Sequence, residues 1–299
     1  MEKTIPLHYS FRKAAVAARL SELAYLPGDR AIEKYADFFG VSKEPFACIE
    51  NREAVAYVGA PTAEDAFVAF RGTSDVHDLL DDFTALQVRI GDKRAVHRGF
   101  YRYTLKLWYY IEQLLHEWVH QWGIKRLLLT GHSLGAAAAV LCAHLIYEND
   151  KGLFDLVKDV YLYGCPKVGN KYFVRHYRSI LGDRTWQHQN NNDPVCWIPN
   201  LCGAYRRVVD KEHLVYYDYA GRVLFRPTFG QLVRDKERGV VACCAQVAWN
   251  TVILSSKGMD VSPALSAAIV KQLDEFDHRI ENYRELAYRN ANIFEEGEQ

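Results

Sequence analysis

The sequence predicts an α/β fold with a mostly parallel central sheet and helices on both of its faces. Three observations carry this expectation. From residue 99 onward, helical segments alternate with short strand-like runs. Those runs, Leu127-Leu128-Leu129 and Val160-Tyr161-Leu162-Tyr163, are apolar at successive positions rather than at every second one. An alanine-rich helical stretch, 136–147, lies between them. Strands buried on both faces read in this way, and two parallel strands need a helical crossover between them.

The elements follow in order. Residues 11–25 carry Ala, Leu and Tyr at helical spacing and are closed by Pro27-Gly28. Extended runs come next at 47–50, 54–58 and 66–70, the last two separated by the turn residues Gly59-Ala60-Pro61-Thr62. A long aromatic-rich helix is expected over 99–122, with Leu107, Ile111, Leu114, Leu115 and Trp118 at its apolar positions. Strand 126–130, helix 136–147 and strand 160–163 follow, and Gly164-Cys165-Pro166 ends the last. A short strand at 185–188 and an alternating stretch at 211–218 complete the pattern. No repeat and no Pro/Gly/Ser-rich linker divides the chain, so one domain over 1–299 is expected.

Lys plus Arg equals Asp plus Glu at 37 each, so no net field draws the chain to nucleic acid, which is not an expected partner. The first residues lack the charged-then-apolar pattern of a leader. The most apolar late stretch, 240–254, is interrupted by Gln246 and Asn250 and is too short to span a bilayer. The seven cysteines are scattered without a Cys-x-x-Cys pair. These features lead us to expect a cytoplasmic protein with reduced thiols and no transmembrane segment.

Gly131-His132-Ser133-Leu134-Gly135 sits between strand 126–130 and the alanine-rich helix. A serine there lies on a tight strand-to-helix turn, and the flanking glycines leave room for it. Ser133 is the expected nucleophile. The helix that follows turns its N-terminal amides towards it, so the Leu134 N–H is an expected oxyanion donor.

Three further stretches join that motif: Phe70-Arg71-Gly72-Thr73, Val96-His97-Arg98-Gly99-Phe100 and Tyr163-Gly164-Cys165-Pro166-Lys167-Val168-Gly169-Asn170. Asn192-Asp193-Pro194-Val195 and Asp277-His278 follow in order. On these residues the chain resembles the class 3 lipase family of the α/β-hydrolase superfamily, which contains the fungal lipases. The resemblance implies hydrolysis of acyl esters of lipids, as a triacylglycerol lipase or carboxylesterase, without cofactor or metal. It also implies transient contact with a lipid interface. It assigns Thr73 as second oxyanion donor and His97 as a brace of the oxyanion loop, with His132 a supporting neighbour of the nucleophile. A phospholipase A-type activity, peptide or lactone cleavage, and a catalytically silent lipase-like interaction module are the alternatives.

Directly after Thr73, the residues Val76, Leu79, Leu80 and Phe83 follow the i, i+3, i+4, i+7 pattern. Asp75, His77, Asp78, Asp81 and Asp82 fill the opposite face, which reads as solvated rather than metal-binding. A lid helix over 75–83, as in fungal lipases, and a fixed amphipathic helix both fit.

In this fold the triad runs serine, acid, histidine. Asp193 follows strand 185–188 and is similar to the family's Asn-x-x-Asp-x-Val segment, so it is the expected acid, with Asp183 and Asp210 as alternatives. Of eleven histidines only His213 and His278 come after Asp193. His213 lies in the alternating stretch. His278 begins a segment like the Asp-His-x-x-x-x-Tyr of bacterial relatives and is the expected base, with His213 the alternative. The sequence departs from the pattern at two places. Tyr205-Arg206-Arg207-Val208 stands where relatives often carry a histidine–glycine pair. A helical insert over 226–263 is longer than in fungal lipases, and fits an acyl pocket wall, a membrane-facing surface or extra packing.

Overall fold

A computed structural model describes residues 6, 8–42, 45–73, 86–191, 193–199, 204–218, 220–227 and 278–296. The expected lid at 75–83 lies outside the described residues, as does the insert at 226–263 except for its first two residues.

Strands β1 (Phe46–Asn51), β2 (Ala54–Gly59) and β3 (Asp65–Phe70) begin the chain's sheet, and β4 (Gln87–Arg89) and β5 (Ala95–His97) form a separate two-stranded ribbon. The sheet continues through β6 (Arg126–His132), β7 (Val157–Tyr163), β8 (Thr185–Asn190), β9 (Leu214–Tyr217) and β10 (Val223–Phe225). Its spatial order is β1-β2-β3-β6-β7-β8-β9-β10. Strands β3, β6, β7, β8 and β9 run parallel, while β1, β2 and β10 are antiparallel additions at the two edges.

Successive residues of a strand point to opposite faces, and both faces are covered here. Val68, Phe70, Leu127, Leu129, Val160 and Leu162 pack under α3 (Arg98–Trp122), α4 (Leu134–Asn149) and α6 (Lys171–Leu181). On the other face, Tyr161, Tyr163, Trp186, Val215 and Tyr217 pack under α1 (Phe11–Leu23) and α7 (Ile280–Glu296). Helix α2 (Gly28–Phe39) closes that face over Val55, Tyr57 and Phe67, and α5 (Lys151–Leu156) joins α4 to β7. This two-sided covering explains the continuous apolar runs. Helix α4 is buried from Gly135 to Ile146, which its row of alanines permits by letting the backbone approach the sheet.

Pro27-Gly28 does more than close α1. Pro27 is the N-cap of α2 and Gly28 its first residue, and left-handed Gly40 ends that helix. Proline's fixed φ suits a helix start as well as a stop. The ribbon β4–β5, the edge strand β10 and helices α5, α6 and α7 were not legible in the sequence. Among the described residues no helix is long and apolar enough to cross a membrane.

Candidate active site

Ser133 ends β6 and opens α4 at φ 58 and ψ −125, a conformation that non-glycine residues rarely adopt. Its N–H donates to the Tyr163 carbonyl at 3.0 Å, which ties the turn to β7. The flanking glycines are steric requirements. A Cβ on Gly131 would overlap the Gly135 carbonyl, and one on Gly135 would overlap the carbonyl oxygen of Phe70. Ser133 Oγ is buried and has no hydrogen-bond partner among the described residues.

At the same edge of the sheet, His278 Nδ1–H donates to Asp193, 2.9 Å from Oδ2 and 3.0 Å from Oδ1. Asp193 is fully buried. Its Oδ1 also accepts the Val195 N–H at 2.9 Å, and its Oδ2 the Tyr283 hydroxyl at 2.5 Å. Burial, and then the Asp193 charge, hold the Tyr283 phenol well above its ordinary range, so it remains a donor. With Nδ1 spent on Asp193, His278 keeps Nε2 as its basic nitrogen. Gly164, at φ 55 after β7, makes space for this pair. A Cβ there would lie 2.7 Å from Asp193 Oδ2 and 3.0 Å from His278 Nδ1.

His132 connects the elbow to the histidine. Its Nε2–H donates to the His278 carbonyl at 2.5 Å, and its Nδ1 accepts the Tyr25 hydroxyl at 2.8 Å. A carbonyl only accepts, so this tautomer is fixed. The two imidazole rings lie 4.5 Å apart. Burial, and after it the charge of His278, push His132 well below its ordinary range, and its ring is neutral.

Thr73 is half-buried at the end of the turn after β3. A Cβ on Gly72 would meet the Tyr25 hydroxyl and lie 2.6 Å from the His132 carbonyl, so the turn rests directly on the elbow backbone. The Tyr103 hydroxyl donates to the Arg71 carbonyl at 2.8 Å from the other side. Leu134 begins α4, and its N–H is one of the first-turn amides that lack an intrahelical acceptor.

His97 is the N-cap of α3, and its ring also lies 4.1 Å from that of Phe100 and 6.0 Å from that of Tyr205. Its Nδ1 accepts the Phe100 N–H at 3.4 Å and its N–H donates to the Val168 carbonyl at 2.9 Å. Burial, then Arg98, push it down to about 4. The alternative pair lies elsewhere: His213 faces Asp210 at 3.1 Å just before β9, at the opposite end of the parallel strands from Ser133. Asp183 lies in the turn before β8, at that same far end, and its side chain is largely exposed. Three contributors were missed from the sequence: Tyr25, Gly164 and Tyr283. Tyr283 had a signal, because it ends the Asp-His-x-x-x-x-Tyr segment.

Residues 67–202 match the lipase (class 3) family. The toxin TseL of Vibrio cholerae serotype O1 is 41% identical over 187 residues, 60% of this chain and 26% of the toxin. A lipase of Rhizomucor miehei is 30% identical over 129 residues, 40% of this chain and 35% of that protein. The chain therefore spans about a quarter to a third of these curated relatives. The solved triacylglyceride lipase of Rhizomucor miehei superposes with a TM-score of 0.59 at 19% identity, covering 71% of this chain and 82% of that one, a likeness of fold.

Proposed function

Because the chain belongs to the class 3 lipase family, we propose that it hydrolyses acyl esters of lipids through an acyl-enzyme formed on Ser133. The observation that carries this reading is the buried Asp193–His278 pair beside a serine held on a strained elbow.

In the reaction, His278 Nε2 takes the Ser133 proton as Oγ attacks the ester carbonyl. The N–H groups of Leu134 and Thr73 receive the oxyanion, and Asp193 stabilises the imidazolium through Nδ1–H. The tetrahedral intermediate expels the alcohol, which takes the proton from His278. Water then repeats the sequence on the acyl-enzyme and releases the fatty acid. No step calls for a cofactor. On this reading the hydrogen bond from Ser133 Oγ to His278 Nε2 tightens in the substrate complex, as catalytic hydrogen bonds commonly do.

The test is hydrolysis of p-nitrophenyl esters from short to long acyl chain, together with emulsified triacylglycerol and phosphatidylcholine vesicles, by the wild type and Ser133→Ala. The proposal expects long acyl chains and the neutral emulsion to be preferred and the variant to be inactive. Equal slow hydrolysis by both proteins would overturn it. Preference for phosphatidylcholine would replace the neutral lipid with a phospholipid and keep the chemistry.

A further inference from the structure

A second group of chemistry-bearing side chains lies at the far end of α4 from Ser133. His144 and Glu148 are one turn apart on α4, and His176 reaches them from α6. His176 Nε2 lies 3.3 Å and His144 Nε2 3.9 Å from Glu148 Oε1, and one ligand atom of each of the three residues lies within 4.8 Å of the others. His144 Nε2 is too far from that carboxylate for a hydrogen bond, and His176 Nε2 is a buried atom beside it. The two rings stand at 88° with centroids 5.5 Å apart. Phe173 packs on His144 at 5.3 Å and Tyr147 on His176 at 5.5 Å, so both rings are held by aromatic neighbours.

Two imidazoles and one carboxylate that converge on one point, with positions left for water, form a donor set for a first-row divalent ion. Around tetrahedral zinc, ligand atoms lie about 3.3 Å from one another. The His176–Glu148 separation of 3.3 Å already has that value, while His144 and Glu148, at 3.9 Å, and the two imidazole nitrogens, within 4.8 Å of one another, would draw together around the ion. The cation now at the carboxylate is Arg94, whose Nη1 donates to Glu148 Oε1 at 2.5 Å from a side chain 23% exposed.

We propose that His144, Glu148 and His176 bind a divalent transition metal of the zinc class, which takes the place of Arg94 on Glu148 and ties α4 to α6. His144 lies eleven residues along α4 from Ser133, roughly 16 Å at the rise of an α-helix. The site is therefore structural, with no part in ester hydrolysis.

The test uses untagged, chelator-treated protein, titrated with ZnCl2 by calorimetry and with CoCl2 by visible absorption. The proposal expects one equivalent bound, a rise in Tm with zinc, and the d–d bands of four-coordinate cobalt. His176→Gln and Glu148→Gln, each checked for folding by circular dichroism, should weaken binding by about tenfold or more. Arg94→Gln should tighten it, although it removes an ion pair. No one-equivalent binding by the wild type, or binding unchanged in both the His176 and Glu148 variants, would overturn the proposal. Weaker binding in Arg94→Gln would overturn the displacement of Arg94.

Discussion

Tyr283 donates its hydroxyl proton to Asp193 Oδ2 at 2.5 Å, onto the oxygen that lies 2.9 Å from His278 Nδ1. The same phenol oxygen accepts the Asn190 N–H at 2.9 Å, so β8 sets its position. Asp193, the proposed acid, is thereby held by α7, which also begins just after His278. Removing a hydrogen bond to a buried charge costs about 1.5–3 kcal/mol. Tyr283→Phe should therefore lower kcat by roughly tenfold to a hundredfold with little change in KM. Steady-state ester hydrolysis checks this; a change confined to KM would contradict it.

The Tyr25–His132–His278 chain is expected to behave as a unit. The His278 carbonyl fixes the tautomer of His132, and the Tyr25 hydroxyl, donating to His132 Nδ1, holds that ring in place against the His278 backbone. Tyr25→Phe and His132→Gln should each reduce kcat, and the double variant should lose less than the sum of the two. A double-mutant cycle on kcat/KM measures this. Strict additivity would mean that the two hydrogen bonds act separately.

Gly164 offers a steric test. An added Cβ would lie 2.7 Å from Asp193 Oδ2, at a positive φ that alanine adopts at a cost of about 1–3 kcal/mol. Gly164→Ala should lose most activity, while its Tm falls by only several degrees. Activity near that of the wild type would contradict the placement of the acid and base over this glycine.

Buried neutral histidines make stability depend on pH. Burial pushes His97 down to about 4 and His188 down to about 3. The unfolded chain binds a proton at each below about 6.5. Their contribution to stability is therefore full above that pH and is lost as pH falls from about 6.5 towards 4, on the order of 3 kcal/mol apiece. Urea unfolding at pH 7.5 and at pH 5 should show the drop. His97→Asn, which retains an N-cap, should flatten it; an unchanged slope in that variant would contradict the assignment of His97.

The sequence made legible what repeats locally. The run 126–130, the alanine-rich helix and the glycine-flanked serine are consecutive, and β6, α4 and the elbow follow from them directly. Asp193 and His278 could be selected only by chain order and family likeness. The sheet supplies the physical reason: parallel strands put both at the carboxyl edge with Ser133, and leave His213 and Asp210 at the other end. Tyr25 could not have been found in this way. It reaches His132 across more than a hundred residues of chain, through the packing of α1 against β6. Helix α2 was hidden because Pro27-Gly28 reads as a stop although it also starts the next helix.

The central claim is that Ser133 is a nucleophile activated by His278. Its most direct test is labelling of the folded protein with an alkyl fluorophosphonate, followed by mass spectrometry of its peptides. We expect a single adduct on Ser133, formed far more slowly in His278→Ala and absent in Ser133→Ala. An adduct on another residue, or labelling of Ser133 at the same rate without His278, would contradict the account.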